Sequence, residues 1–342
     1  MFVIAGGAHG RLVKGKMARK LRLEYEGAMY HVINRGNYRV AVFAQEGARK
    51  AFMDCLFEAC AKAGWELHGY VLMSNHYHLA IETPKGNLVE GMRWMQSTFA
   101  TRFNRFRGES GHVFQGRYKA LLVESGEGLG AVAHYIHLNP VRAGLVPVER
   151  LTEYRDSSYA ALLAPKQRPG CLRVETFLDA AGGLADTAVG RRKYGEYLAW
   201  LAENEAARKQ LKFESMSKGW ALGGKAFRQA LVKEHREKMA DPERQEASTR
   251  EARELLWAEA LKAAMDRLGK TTSDREDDIK AAPWKVAVAA QLRSVSTVTN
   301  VWLAENLRMG AADGVSRYVS ELRRGKRKDA EKLLTKIANI RV

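Results

Sequence analysis

The stretch "WELHGYVLMSNHYHLAIE" (residues 65–82) reads as two strands, "WELHGYVLM" and "HYHLAIE", separated only by Ser74 and Asn75, a spacing that suits a tight hairpin. Alternate strand residues share a face, so His76 and His78 project together while Tyr77 projects the other way. Two imidazoles in an otherwise apolar strand are costly unless bound or hydrogen-bonded. A histidine pair alone is equally compatible with ordinary core residues. Metal catalysis would also require a third protein ligand and an open coordination position.

Outward from the hairpin, "AMYHVINRG" (28–36) reads as a strand ended by Gly36, and "EGARKAFMDCLFEACAKAG" (46–64) as a helix stopping at Gly64. A helix follows in "NLVEGMRWMQSTFATRFNRFRG", then a strand in "VFQGRYKALLVE" and a helix in "GLGAVAHYIHLNPVRAG". This order is the ferredoxin-like arrangement with one added helix. After "APKQRPG" (164–170), which reads as a linker, strand signals nearly vanish and amphipathic patterns occupy about 191–212, 225–239, 243–268 and 277–293. The expected fold class is therefore α+β: a ferredoxin-like domain over 18–163, then an all-α domain over 171–342. "GKTTSDREDD" (269–278) reads as a polar loop, and no internal repeat is present. Residues 300–324 have the spacing of a helix-turn-helix, with Leu303, Ala304 and Leu307 on one helix and Val315 and Val319 on the next. That arrangement offers Arg317 to bases and Arg323 and Arg324 to the backbone of DNA. A plain helical hairpin fits the same pattern.

The 342 residues carry a formal charge of +17. Residues 1–165 hold 21 Lys+Arg against 14 Asp+Glu, a net +7, which leaves +10 for the remainder. Both halves are basic, which points to a polyanionic partner such as nucleic acid, although solubility alone also selects surface lysine and arginine. Cys55, Cys60 and Cys171 show no CxxC spacing, so free, buried thiols are expected rather than a disulfide framework or thiolate zinc site. No 18-residue apolar run is present and the N-terminus lacks the order of a signal peptide. The expected location is cytoplasmic, at the nucleoid, with no membrane partner.

In "AVAHYIHLNPVRAG", Tyr135 and Asn139 lie four apart on one helical face, His134 and His137 are near, and Pro140 ends or kinks the helix. Beside a two-histidine metal site Tyr135 would be a nucleophile, since a phenol of pKa near ~10 needs help to ionise at neutral pH. From spacing alone Tyr135 fits equally as a core aromatic and Asn139 as a cap. Three segments in order, "YVLMSNHYHLAIE", "GHVFQGRYKALLVE" and "YIHLNPVRAGLV", resemble the single-tyrosine transposases of the HUH class, nearest to the REP-associated tyrosine transposases with their "INPV" or "LNPV" helix ending. The resemblance covers about residues 20–160.

That resemblance implies that His76 and His78 hold a divalent metal, Mg or Mn, that Tyr135 is the nucleophile, and that Asn139 completes the metal site where some relatives carry Gln or Glu. It implies cleavage and rejoining of hairpin-forming single-stranded DNA, at palindromic repeats, through a 5′-phosphotyrosine, by a monomer or a homodimer. Arg19 and Arg22 precede the first strand, in a segment that in the family often reaches the foot of a DNA hairpin. Candidate contacts from the residues themselves are Arg35 and Asn37 in the loop after that strand, Arg102 and Arg105 among Phe99, Phe103 and Phe106, and Arg117 with Lys119 on one strand face. The three phenylalanines recur at helical spacing and read as core. Two other readings compete. One is a catalytically inactive DNA-binding regulator using the C-terminal helix-turn-helix; the other, a two-histidine oxygenase, lacks the carboxylate it needs.

Overall fold

The computed structural model describes residues 23–235, Met239 and 250–340. The chain divides into two compact units, the first ending at Glu234 and the second beginning at His235.

In the first unit β1 (Ala28–Arg35), α1 (Glu46–Ala63), β2 (Glu66–Leu72), β3 (His76–Thr83), α2 (Leu88–Arg107), β4 (Lys119–Val123) and α3 (Glu127–His137) follow the expected ferredoxin-like order. α3 leads into the short α4 (Asn139–Arg142), and α5 (Ser158–Leu163), α6 (Glu175–Asp179), α7 (Ala188–Glu203) and α8 (Glu205–Gln210) come next. β5 (Ala221–Leu222) and α9 (Lys225–Glu234) complete the unit. The sheet order is β2-β3-β1-β4-β5, antiparallel except for the parallel pair β4 and β5.

Register decides what each sheet face carries. In the β1–β3 pairing Ile33 lies opposite His78 and Asn34 opposite Tyr77, so the histidines and the tyrosine fall on opposite faces. The Tyr77 face is covered by α1 and α2. There Phe52 stacks against Tyr77 with ring centroids 4.8 Å apart and meets Phe99 at 5.3 Å, while Gln96 Nε2 donates to the Tyr77 hydroxyl at 2.8 Å. α1 supplies Phe52, Cys55, Leu56 and Ala59 at helical spacing and stops where Gly64 adopts φ 70°, a left-handed cap open to glycine. The histidine face is covered by α3, whose Ala133 and Ile136 pack on Gly69 of β2. Cys55, Cys60 and Cys171 are free, the first two buried.

In this unit three details differ from the sequence reading. Phe99 and Phe103 are core, but Phe106, in the last turn of α2, is 67% exposed. β4 is shorter than the strand pattern over 113–124; Phe114 makes only an isolated bridge to Gly36, and Gly116 at φ 67° breaks the run. Residues 171–234 belong with the sheet, whereas the all-α domain was expected to start at 171. Leu172 bridges Leu67, β5 extends the sheet edge, and α6 lies so close on α3 that a Cβ on Gly130 would collide with Ala180. The amphipathic pattern announces α7, with Tyr194, Leu198 and Leu201 buried, but does not say which core those side chains complete.

The second unit is helical: α10 (Arg250–Arg267), α11 (Thr272–Asp277), α12 (Pro283–Val295), α13 (Asn300–Asn306), α14 (Ala312–Arg323) and α15 (Lys328–Ile337). α11 stands where a polar loop was expected. Thr271 Oγ1 accepts from the Asp274 N–H at 3.2 Å and Asp274 accepts from the Thr271 N–H at 2.8 Å, a capping box that offsets the cost of a polar helix. α12 is its centre, buried from Trp284 to Leu292. Among the described residues no helix is long and apolar enough to cross a membrane.

Candidate active site

β3 sets His76 and His78 on the face that α3 covers, and α3 delivers Tyr135 in its last turn. The Tyr135 ring stands edge-on to His78, with centroids 5.7 Å apart and planes at 75°. His76 and His78 are 5.1 Å apart, so one small site can engage both. Pro140 lacks the N–H that would extend α3 and starts the short turn of α4; Asn139, buried beside it, donates through Nδ2 to the Tyr135 carbonyl at 3.3 Å. That bond leaves the Asn139 Oδ1 for another partner.

A third imidazole, absent from the sequence reading, completes the group. His31 of β1 is fully buried; its Nε2 lies 2.9 Å from His78 Nδ1 and its Nδ1 lies 2.7 Å from the Met216 carbonyl. Its ring also stands edge-on to Tyr135 at 5.7 Å. Strand periodicity alone puts His31 on one face of β1, but only the register identifies that face as the one bearing His76 and His78. On His76, Nδ1 meets Asn75 Oδ1 at 2.7 Å, and Asn75 Nδ2 donates to the Arg39 carbonyl at 3.3 Å.

Burial keeps these imidazoles uncharged. It lowers His31 to about 4, against a weaker opposing pull from the Met216 carbonyl, and it lowers His76 to about 4 with help from Arg35. His78 is driven well below the ordinary histidine range, first by burial and then by its imidazole neighbours. Neutral imidazoles with Nδ1 already engaged offer Nε2 lone pairs, the donor set a divalent transition metal accepts. The residues present therefore fit a metal held by Nε2 of His76 and His78.

The extension through residue 216 closes this site. The Phe213 ring meets Tyr135 edge-on at 5.5 Å, and the Arg142 guanidinium lies 4.6 Å from the Tyr135 ring centre and 5.7 Å from that of Phe213. A cleft of about 440 Å³ lies on the other side of Arg142 and Phe213, lined by these two with Arg208, Lys209, Glu205 and Glu214 and by neither Tyr135 nor the histidines. Lys209 is paired with Glu205 at 2.7 Å and Arg208 is held by the Leu201 carbonyl at 2.9 Å. Among the described residues no carboxylate pairs with Arg142, which leaves it the cation best able to meet an anion beside Tyr135. No spacing rule in the sequence links Phe213 or Met216 to "HYIHLNP".

The other expected contacts scatter. Arg35 is exposed and sits opposite His76 in the register, and Lys119 shares the histidine face, where its Nζ donates to the Ser217 carbonyl at 2.5 Å. Asn37 opens the loop beside His76, its N–H donating to the Val113 carbonyl at 2.9 Å. Arg117 is exposed just before β4. Arg102 is committed elsewhere: its guanidinium makes a two-point bond to Glu58 at 2.8 and 3.0 Å between α2 and α1, on the layer across the sheet from the histidines. Arg105 is exposed on that same α2. Arg19 and Arg22 lie outside the described residues. In the second unit α13 and α14 form a helix pair whose turn includes Gly310 at φ 85°, with Val315 and Val319 inward and Arg317, Arg323 and Arg324 outward.

A second group of ligand-type atoms occupies the far end of β3. Glu66, His68 and Glu82 each offer an atom within 4.8 Å of the others. His68 bonds Glu82 through Nε2 at 3.0 Å and Thr176 Oγ1 through Nδ1 at 2.6 Å, and Arg173 pairs with Glu66 at 2.8 Å. These partners satisfy the triad internally. His134 and His137 are engaged elsewhere, sharing the hydroxyl of the buried Tyr194 at 3.0 and 2.7 Å.

Fold and site define an α+β domain with a mixed five-stranded sheet that presents two neutral imidazoles beside a helix-borne tyrosine. Residues 24–139 match the model of the family described as "Transposase IS200 like", a span that starts before β1 and ends at Asn139. Among solved structures, the chain is similar to a REP-associated tyrosine transposase bound to a REP hairpin, at 17% identity over 45% of this chain and 89% of that one, with TM-score 0.37. It is also similar to a protein from Deinococcus radiodurans R1 assigned as a transposase, at 21% identity over 37% of this chain and 92% of that one, with TM-score 0.26. No curated protein matches the chain.

Proposed function

We propose that the protein is a metal-dependent DNA transposase that cleaves and rejoins hairpin-forming single-stranded DNA with Tyr135 as nucleophile. The observation that carries this reading is the convergence of Tyr135 from α3 with His76 and His78 from β3. The match of residues 24–139 to the IS200-like transposase family supports it independently. The Tyr135 phenol gives its proton to solvent as its oxygen attacks a phosphodiester, and the P–O3′ bond breaks to leave a 5′-phosphotyrosine and a 3′-oxygen that takes a proton from solvent to become a hydroxyl. One phosphoester replaces another, so a 3′-hydroxyl from a second strand can reverse the step without an external energy source. Arg142, beside the Tyr135 ring, meets the phosphate as it adds negative charge. A divalent Mg or Mn held by Nε2 of His76 and His78 with Asn139 Oδ1 would neutralise charge on the nonbridging oxygens.

Strand contacts follow from the surface around the site. Tyr38 is 88% exposed in the loop that leaves β1 beside His76, and it adopts φ 51°, an uncommon conformation for a side-chain-bearing residue. An exposed ring flanked by Arg35 and Arg39 is suited to stack on an unpaired base while the guanidinium groups meet phosphate. The regulator reading draws on a separate feature, the outward arginines of α14, and needs no chemistry at Tyr135.

An end-labelled hairpin oligonucleotide with Mn or Mg separates the two. Wild-type protein is expected to nick it and to retain a covalent protein–DNA band, while Tyr135→Phe binds but does not nick. Equal nicking by both would remove Tyr135 from the mechanism. Duplex binding without cleavage of any hairpin would favour the regulator.

A further inference from the structure

Each ring of the histidine pair is tied, through one intermediary side chain, to a main-chain carbonyl. The Met216 carbonyl can only accept, so His31 donates to it from Nδ1 at 2.7 Å and keeps a lone pair on Nε2. That lone pair in turn can only accept, so His78 donates from Nδ1 at 2.9 Å and its own lone pair is left on Nε2. On the other branch Asn75 donates from Nδ2 to the Arg39 carbonyl, which aims Oδ1 at His76 Nδ1 at 2.7 Å. His76 therefore also carries its proton on Nδ1. Two carbonyls on separate loops thus dictate the tautomer of both rings, and each choice propagates from an atom that has no alternative role.

We propose that His31 and Asn75 are positioning residues that lock His78 and His76 as Nδ1–H tautomers and so present both Nε2 atoms to one divalent cation. The inference rests on the metal site proposed above and adds what prepares it. It also assigns a task to the segment around Phe213–Met216, which is remote in sequence from the family-matched residues: its carbonyl is the anchor of the longer relay. A tautomer held in advance spares the site the cost of moving a proton when the cation arrives, and loss of such supporting partners lowers metal affinity by about ten- to a hundredfold.

The test uses the full chain with ¹⁵N-labelled histidine. In the metal-free protein, long-range proton–nitrogen correlation is expected to report Nδ1–H for His31, His76 and His78. Mn²⁺ titration of His31→Leu should show affinity reduced about ten- to a hundredfold, with His78 shifted toward the Nε2–H form. His31→Gln, whose amide oxygen can accept from His78, should recover most of the affinity. Asn75→Ala should shift His76 in the same way, and it carries the test if the Leu variant fails to fold. An Nε2–H tautomer for His78 in wild-type protein, or wild-type Mn²⁺ affinity in both His31→Leu and Asn75→Ala, would overturn the relay. Wild-type protein with all three Nδ1–H tautomers but no Mn²⁺ binding would instead overturn the metal site while leaving the relay standing.

Discussion

Tyr135 and Tyr77 lie on opposite sides of one sheet, and their neighbours separate their roles. Tyr77 meets Phe52, Phe114 and Gln96, a set that fixes a ring in a core. Tyr135 meets three ionisable or polar-edged groups, His31, His78 and Arg142, with Phe213 closing one side. The facing of His76 and His78 was legible in strand alternation, and the Tyr135–Asn139 pair in helical spacing. His31 was not, because its face acquires meaning only through pairing with β3. Arg102 shows the reverse: an arginine among aromatics suits DNA by composition, and the structure pairs it with Glu58 of α1 across the helix layer. At this scale pH gives a prediction through His134, which burial lowers to about 4 from an ordinary value of 6.5. Between those values the unfolded chain binds a proton that the folded chain does not, so stability is full above about 6.5 and declines as pH falls toward 4. The melting temperature should drop from pH 7.5 to pH 5, and His134→Gln should flatten that slope; an unchanged slope in the variant would count against it.

Among the elements, α3 and α11 show how termini decide local structure. α3 ends where Leu138-Asn139-Pro140 removes a backbone donor, and that break leaves Tyr135 in its final turn and Asn139 at the start of α4 rather than mid-helix. The proline was readable; where the turn would point was not. α11 was read as a loop because its composition is polar, yet Thr271 and Asp274 supply a reciprocal cap. Thr271→Ala should cost the helical unit about 1 kcal/mol, measured by urea unfolding, and a loss below a few tenths would mean the cap contributes nothing. The strand over 113–124 shrank to β4 because Gly116 takes a left-handed conformation that interrupts pairing.

For the whole molecule, the division at 234/235 predicts how truncations behave. A chain ending at residue 163 lacks β5, Phe213 and the Met216 carbonyl, and leaves the α6 face of α3 bare. It should aggregate or lose cooperative melting. A chain ending at Glu234 should melt cooperatively and retain hairpin cleavage. If α13 and α14 bind DNA, removing them should also lower the salt dependence of DNA affinity, since fewer counterions are released on binding. An identical salt slope with and without residues 235–342 would remove the helix-turn-helix reading, and cooperative melting of the 163-residue chain would contradict the extended unit.

The sequence by itself determined the order of strands and helices, the facing of the His76 and His78 pair, the tyrosine and asparagine one turn apart, and the basic charge. These are local properties, set by periodicities of two and 3.6 residues and by proline and glycine at fixed places. Only the tertiary structure decided that His31 joins the pair, that Phe213 and the Met216 carbonyl reach the site from about eighty residues beyond Tyr135, and that Arg142 rather than Arg102 is the guanidinium beside Tyr135. Those follow from sheet register and from which apolar face covers which, and both depend on contacts between segments whose separation in the chain carries no periodic signal.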